Sequence, residues 1–166
     1  MVLFRRLLTL MTACFLVTFP AYAGGSVVCV VHDRSLHLNL NATYNYGVGD
    51  SVTGATGTAE VRLPATPDAL RAYALSSDMI RNVGIDGKSI QFDIVKSAPI
   101  NGRFFEASIH ISGQRLVTDK TTIRGGYKLR LQKSGPIDSS NPLPDKAASP
   151  VKPIASAAGY AECSVN

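Results

Sequence analysis

Three histidines and three cysteines are the residues with the most chemistry to offer, and their spacing decides little. His32 stands beside Asp33, while His37 and His110 lie further along. A metal centre would need His32 and Asp33 to converge with another ligand around one ion. No pair has the H-x-x-x-H spacing of a local site, so solvated histidines are expected and no metal or cofactor is implied. Nucleophilic catalysis asks for a Ser or Cys beside a base held by a third group. No Gly-x-Ser-x-Gly occurs, and the serines gather in segments that read as loops. Paired carboxylates for sugar hydrolysis are defined in space, not in sequence. The lack of Trp argues against a groove that stacks carbohydrate rings. Gly49 and Gly54 have the spacing of a phosphate loop, but no lysine follows to reach a phosphate, so this segment reads as an ordinary loop.

The cysteines say more about compartment than about catalysis. The chain opens on MVLFRRLLTLMTACFLVTFPAYAGG. Arg5 and Arg6 precede an apolar stretch, Leu7 to Phe19, that ends near the small-x-small site Ala21-Tyr22-Ala23. That run is shorter than the roughly 20 residues a membrane-crossing helix needs. It reads as a signal peptide over 1–23, cleaved near Ala23, for export to the periplasm or the exterior. A lipoprotein signal using Cys14 is the poorer match, since Met11-Thr12-Ala13 is a weak lipobox. Cleavage leaves Cys29 and Cys163, which an oxidising compartment would join as one disulfide.

Two sets of residues are candidates for binding. Tyr44 and Tyr46 flank an Asn in a Gly-rich segment, a composition suited to adaptable recognition, although a Tyr closing one end of the core is the plainer expectation. Arg124, Lys128 and Arg130 form a basic stripe, with Lys133 nearby, that could meet an anionic glycan, a lipid head group or an acidic protein. Such stripes also serve simply as solubility devices. The excess of basic residues is modest, 17 Lys and Arg against 12 Asp and Glu, and too scattered to imply nucleic acid. Asn41-Ala42-Thr43 fits a glycosylation sequon.

Period-two alternation supplies the elements that would position these groups. SVVCVV (26–31) has the look of a central strand, and Leu36, Leu38 and Leu40 alternate with His37, Asn39 and Asn41. Residues 44–57 read as a loop before a strand over 58–63. Thr66 as N-cap and Pro67 at the first helical position predict one or two helical turns within 66–75. Asp86-Gly87 predicts a two-residue hairpin turn, pairing Ile85 with Lys88 and Val83 with Ile90 and leaving Arg81 as the misfit on the apolar face. Asn101-Gly102 is a second turn signal, leading into a strand with Phe105, Ala107, Ile109 and Ile111 inward. A strand over 121–132 follows, with a bulge or bend expected at Gly125-Gly126. Residues 134–157 hold five of the nine prolines and read as a tether. The terminal piece reads as a last strand carried back beside the first, its pairing starting near Tyr160 because Gly159 weakens a strand interior.

The expected fold is all-β: an antiparallel β-sandwich or small barrel of about 7–8 strands. Its parts are a leader (1–23), a β-domain (24–133), a Pro-rich tether (134–157) and a terminal strand (158–166) stapled by Cys29 and Cys163. The expected function is that of a non-enzymatic exported module, of binding or inhibitor type. The partner would be an envelope protein, an anionic glycan or a small ligand; no nucleic acid is expected, and the chain is not expected to span a membrane. The rival expectations are a small exported hydrolase or metal-dependent enzyme assembled only by folding, and a structural envelope component.

Overall fold

A computed structural model describes residues 24–45, 51–86, 88–136 and 153–166. The expected leader (1–23), residues 46–50 with Tyr46 and Gly49, Gly87, and residues 137–152 of the expected tether lie outside the described residues. The rest forms one antiparallel sheet of nine strands, two more than the lower expectation and one more than the upper. In chain order these are β1 Gly24–His32, β2 Leu36–Asn45, β3 Ser51–Val61, β4 Ala72–Ala74, β5 Ile80–Ile85, β6 Ser89–Ile100, β7 Arg103–Arg115, β8 Thr122–Pro136 and β9 Ala155–Val165. The spatial order is β4-β3-β2-β1-β9-β8-β7-β6-β5, and no ladder joins β4 to β5.

β9 sits in the middle of this order. It pairs with β1, as the sequence suggests, and also with β8, which nothing in the sequence announces. Cys29 stands directly opposite Cys163, and the two form a disulfide. Ser26 and Asn166 exchange both backbone hydrogen bonds at 3.0 Å. Counting inward from that pair places Cys29 and Cys163 at a non-hydrogen-bonded position, where facing Cα atoms come closest; theirs are 4.0 Å apart.

One face of every long strand feeds a single core. Leu36, Leu38 and Leu40 from β2, Ile109 and Ile111 from β7, and Leu129 and Leu131 from β8 are all essentially inaccessible. The alternation that creates this face is the period-two pattern of the sequence.

Several local expectations change. Residues 51–57 are strand, not loop, because β3 begins at Ser51 and pairs along nearly all of β2. Gly57 permits that pairing: at φ 141° a Cβ there would come 2.0 Å from the Asn39 carbonyl oxygen. Gly125 and Gly126 cause no bulge, since the registers with β7 and β9 run straight through them. They serve close approach instead, a Cβ on Gly125 falling 2.0 Å from the Ser112 carbonyl oxygen. The helical segment expected within 66–75 forms as one turn, α1 (Asp68–Arg71), with Leu70 buried. Thr66 does not cap it; its hydroxyl turns back to the Leu63 carbonyl at 2.8 Å.

The β5–β6 hairpin differs in register. Ile85 pairs with Ile90, not Lys88, and Asp86 Oδ1 accepts the amides of Lys88 and Ser89 at 2.6 Å each. An irregularity between Arg81 and Gly84, with Asn82 at φ 50°, then shifts the pairing so that Ile80 faces Ile94 and Arg81 faces Asp93. This bulge removes the Arg81 misfit by turning that side chain to solvent. The Asn101-Gly102 turn forms as read: both residues have positive φ (50° and 70°), and Ile100 pairs with Arg103.

At β9 the pairing starts at Ala155, five residues before Tyr160, and runs through Gly159. Gly159 lies opposite Tyr127, whose ring fills the space a side chain would need. The Tyr127 hydroxyl thereby reaches Asp33 in the β1–β2 connection and donates to its carboxylate.

Candidate functional site

The outer face of β6, β7 and β8 gathers the most polar chemistry. The two-residue turn at Asn101-Gly102 sets the β6–β7 register, and this places Asp93 opposite His110 and Val95 opposite Ser108. The β7–β8 register then sets Lys128 beside His110 and Arg130 beside Ser108. Same-face residues paired in this way have Cβ atoms about 5 Å apart, so the six side chains form two adjoining rows. They line an open groove of about 300 Å³.

Within it His110 is held firmly. Its Nδ1 lies 2.7 Å from Asp93 Oδ1, and the other Asp93 oxygen accepts the Asn82 amide at 2.6 Å. A carboxylate only accepts, so Nδ1 carries the proton and Nε2 is the ring's remaining polar atom. The His110 side chain is 43% exposed and that of Asp93 25%. Among the described residues neither Lys128 nor Arg130 has an ion-pair partner, whereas Arg124 sits 3.6 Å from Glu162. The basic stripe is therefore uneven: Arg124 is compensated, while Lys128 and Arg130 are left to solvent and to whatever enters the groove. Lys133 lies over the Phe105 ring, 5.5 Å from its centroid.

The other candidates fall elsewhere. Tyr44 is 3% exposed and its ring belongs to the core, packed across Gly25, where a Cβ would fall 2.5 Å from the Tyr44 hydroxyl. His32 and His37 stack edge to face with centroids 5.2 Å apart. Arg62 forks onto Glu60 with two contacts of 2.9 Å and reaches His37 Nε2 at 3.1 Å. Hydrogen bonding to Arg62 is the main influence on Glu60 and holds its carboxyl below the usual range. Asp33 accepts its hydrogen bonds from Ser35, Leu36 and Tyr127 and not from either histidine. Burial alone would raise its carboxyl, but the Tyr127 hydroxyl and the amides of Ser35 and Leu36 outweigh that and lower it. Among the described residues no three His, Cys, Asp or Glu side chains converge as metal ligands.

Sequence reasoning overlooked Asp93, Asn82 and Ser108 and took His110 as solvated. A signal for part of this was present. A two-residue turn at 101–102 implies that 93 faces 110 and 95 faces 108.

No family model, curated protein or solved structure matches the chain. Among the described residues no helix is long and apolar enough to cross a membrane.

Proposed function

We propose that this chain is an exported, non-enzymatic β-domain that binds an acidic glycan on the outer face of β6–β8. The carrying observation is the pair of uncompensated cations, Lys128 and Arg130, beside an oriented His110 in an open groove. Export is supported by the leader at 1–23 and by the disulfide, which belongs to an oxidising compartment. An outer-surface site is supported by the inward face being apolar and closed to solvent at Tyr127, Ile109, Leu129 and Leu131.

We further infer that the sheet is rolled as a barrel with one unzipped seam. Eight antiparallel pairings lead from β4 to β5, so the two edge strands run in the same direction. Only Leu75 to Met79 lie between them, a link that spans at most about 22 Å. A flat sheet of this many strands would hold its edges roughly 38 Å apart. The short turn Ser77–Met79 touches both β3 and β6, and α1 also packs on β6. Residues 72–85 thus act as one line of the barrel, paired to β3 at its start and to β6 at its end. The buried faces of the strands are apolar and most charged side chains lie on the outer face, the reverse of a membrane-spanning barrel.

The test is retention of the purified chain on an immobilised sulfated polysaccharide. Binding is expected to weaken with salt, and Lys128→Gln/Arg130→Gln should elute at clearly lower salt because released counterions track the phosphate- or sulfate-like contacts made. Equal elution of the variant would remove the reading.

A second reading, hydrolysis, has one observation in its favour. Asp93 orients His110, and Ser108 stands two residues away on the same face, giving the three residue types of a triad. Among the described residues no hydrogen bond joins Ser108 to His110. Ester turnover abolished by Ser108→Ala and by His110→Ala would favour this reading over simple binding.

A further inference from the structure

A second groove, of about 580 Å³, opens at the rim of the sheet where the β5–β6 turn meets the β7–β8 connection. Three of its lining residues are cationic, Lys88, Arg115 and Lys120, and two are apolar, Leu116 and Val117. Arg115 is the last residue of β7, on the core-facing side, and its amide donates to the Lys88 carbonyl at 2.7 Å, joining the two walls. Its Nε is buried and has no hydrogen-bond partner. Among the described residues the guanidinium has no ion pair either. A charged donor left unmade out of contact with water is costly. The accessible part of the same guanidinium-bearing side chain lines the groove, where an incoming acceptor would meet it.

The nearest carboxylates are already committed. Asp86 accepts the Lys88 and Ser89 amides and the Ser89 hydroxyl. Asp119 accepts the Thr121 amide at 2.9 Å and the hydroxyls of Thr121 and Thr122. Those bonds, the Thr121 hydroxyl foremost, hold the Asp119 carboxyl well below its usual range. Asp119 is thus turned into its loop and Asp86 mainly into its turn, although Asp86 still feels Lys88. Among the described residues Arg115 and Lys120 face the groove with no ion pair. Beside them Val117 is 98% exposed, an apolar side chain offered to solvent at the mouth of a cationic groove.

We propose that this rim groove is an anion site for an oxyanion head group carried on an apolar chain. Arg115 and the two lysines would take the head group, and Val117 with Leu116 would cover the first methylenes. The site is separate from the Lys128–Arg130 face. Free oxyanions and amphiphilic ones share the head-group chemistry, so the experiment uses both: inorganic phosphate and submicellar n-octyl phosphate, titrated into the purified chain and followed by NMR.

Saturable shifts at Arg115, Lys88 and Val117 are expected. Octyl phosphate should bind at least about tenfold more tightly than phosphate, since burying two methylenes suffices for that factor. Arg115→Gln should weaken both ligands about tenfold or more, as expected for loss of a charge-assisted bond. Val117→Ser should lower octyl phosphate affinity and leave phosphate unchanged. If Arg115→Gln does not fold, Lys88→Gln/Lys120→Gln reads the same loss. Lys128→Gln/Arg130→Gln should leave these affinities intact. Unchanged binding in the rim variants, or loss confined to the Lys128/Arg130 variant, would overturn the proposal.

Discussion

Tyr127 and Gly159 show how single residues decide local structure. The Tyr127 ring crosses β9 only because position 159 has no side chain; a Cβ there would come 2.4 Å from Asp33 Oδ2 and 2.7 Å from Tyr127 Cε1. Gly159→Ala should therefore cost about 1–3 kcal/mol through overpacking, read as a lower urea midpoint. A midpoint equal to the parent's would mean that the ring moves aside freely. Tyr127 and Asp33 also give stability a pH signature. The Asp33 carboxyl is lowered in the fold, so its contribution is present above the ordinary carboxylate range and is lost as pH falls through its folded value. Burial, then the hydrogen bond to Asp33, raises the Tyr127 phenol. Its contribution is present below the ordinary phenol range and is lost as pH climbs through the raised value. Asp33→Asn should flatten the acid limb of a Tm-against-pH curve; an unaltered acid limb would contradict this. None of this latch was legible in the sequence, because 94 residues separate Asp33 from Tyr127. The Asp93–His110 pair, 17 residues apart and closed by an Asn-Gly turn, was legible in principle.

Among elements, the two hairpins of the β5–β7 region contrast in how their sequences specify register. Asn101-Gly102 admits positive φ at both positions, and the strands on either side pair without interruption. At Asp86 the side chain instead collects the next two free amides, so the turn closes two residues later than a bare Asp-Gly pair suggests. The bulge at Asn82 then restores the apolar face, a correction invisible to simple alternation because it inserts an extra residue. Asn82 carries two roles, a left-handed backbone and a hydrogen bond to Asp93. Asn82→Ala should cost about 1–2 kcal/mol from the backbone penalty alone. Asn82→Gly should recover much of that stability while leaving Asp93 without its second donor. Chemical denaturation separates the two, and equal losses in both variants would place the whole effect in the side-chain bond.

At the scale of the whole molecule, β9 is a keystone of the sheet. It joins β1 to β8, so without it the sheet divides into β4-β3-β2-β1 and β8-β7-β6-β5. The all-β class was legible because alternation is a local fact, and the cysteine pairing because the expected leader claims Cys14 and leaves Cys29 and Cys163 to each other. The central place of β9 was not, because strand order depends on which edges meet in space. Cys163→Ser should lower stability by about 2–5 kcal/mol, and the loss should appear as one cooperative transition, not as fraying of the tail alone. Proteolysis confined to residues after 153, with an unchanged transition, would contradict that. The apolar face of this sheet is spent on its own core, and the proposed binding face is the outer one of β6–β8. The most direct measurement is an NMR titration of the chain with a sulfated oligosaccharide, mapping shifts residue by residue. Saturable perturbations should cluster at Ser108, His110, Lys128 and Arg130 and spare the inward Ile109 and Leu129. Perturbations centred on another face, or none at all at low salt, would contradict the proposed function.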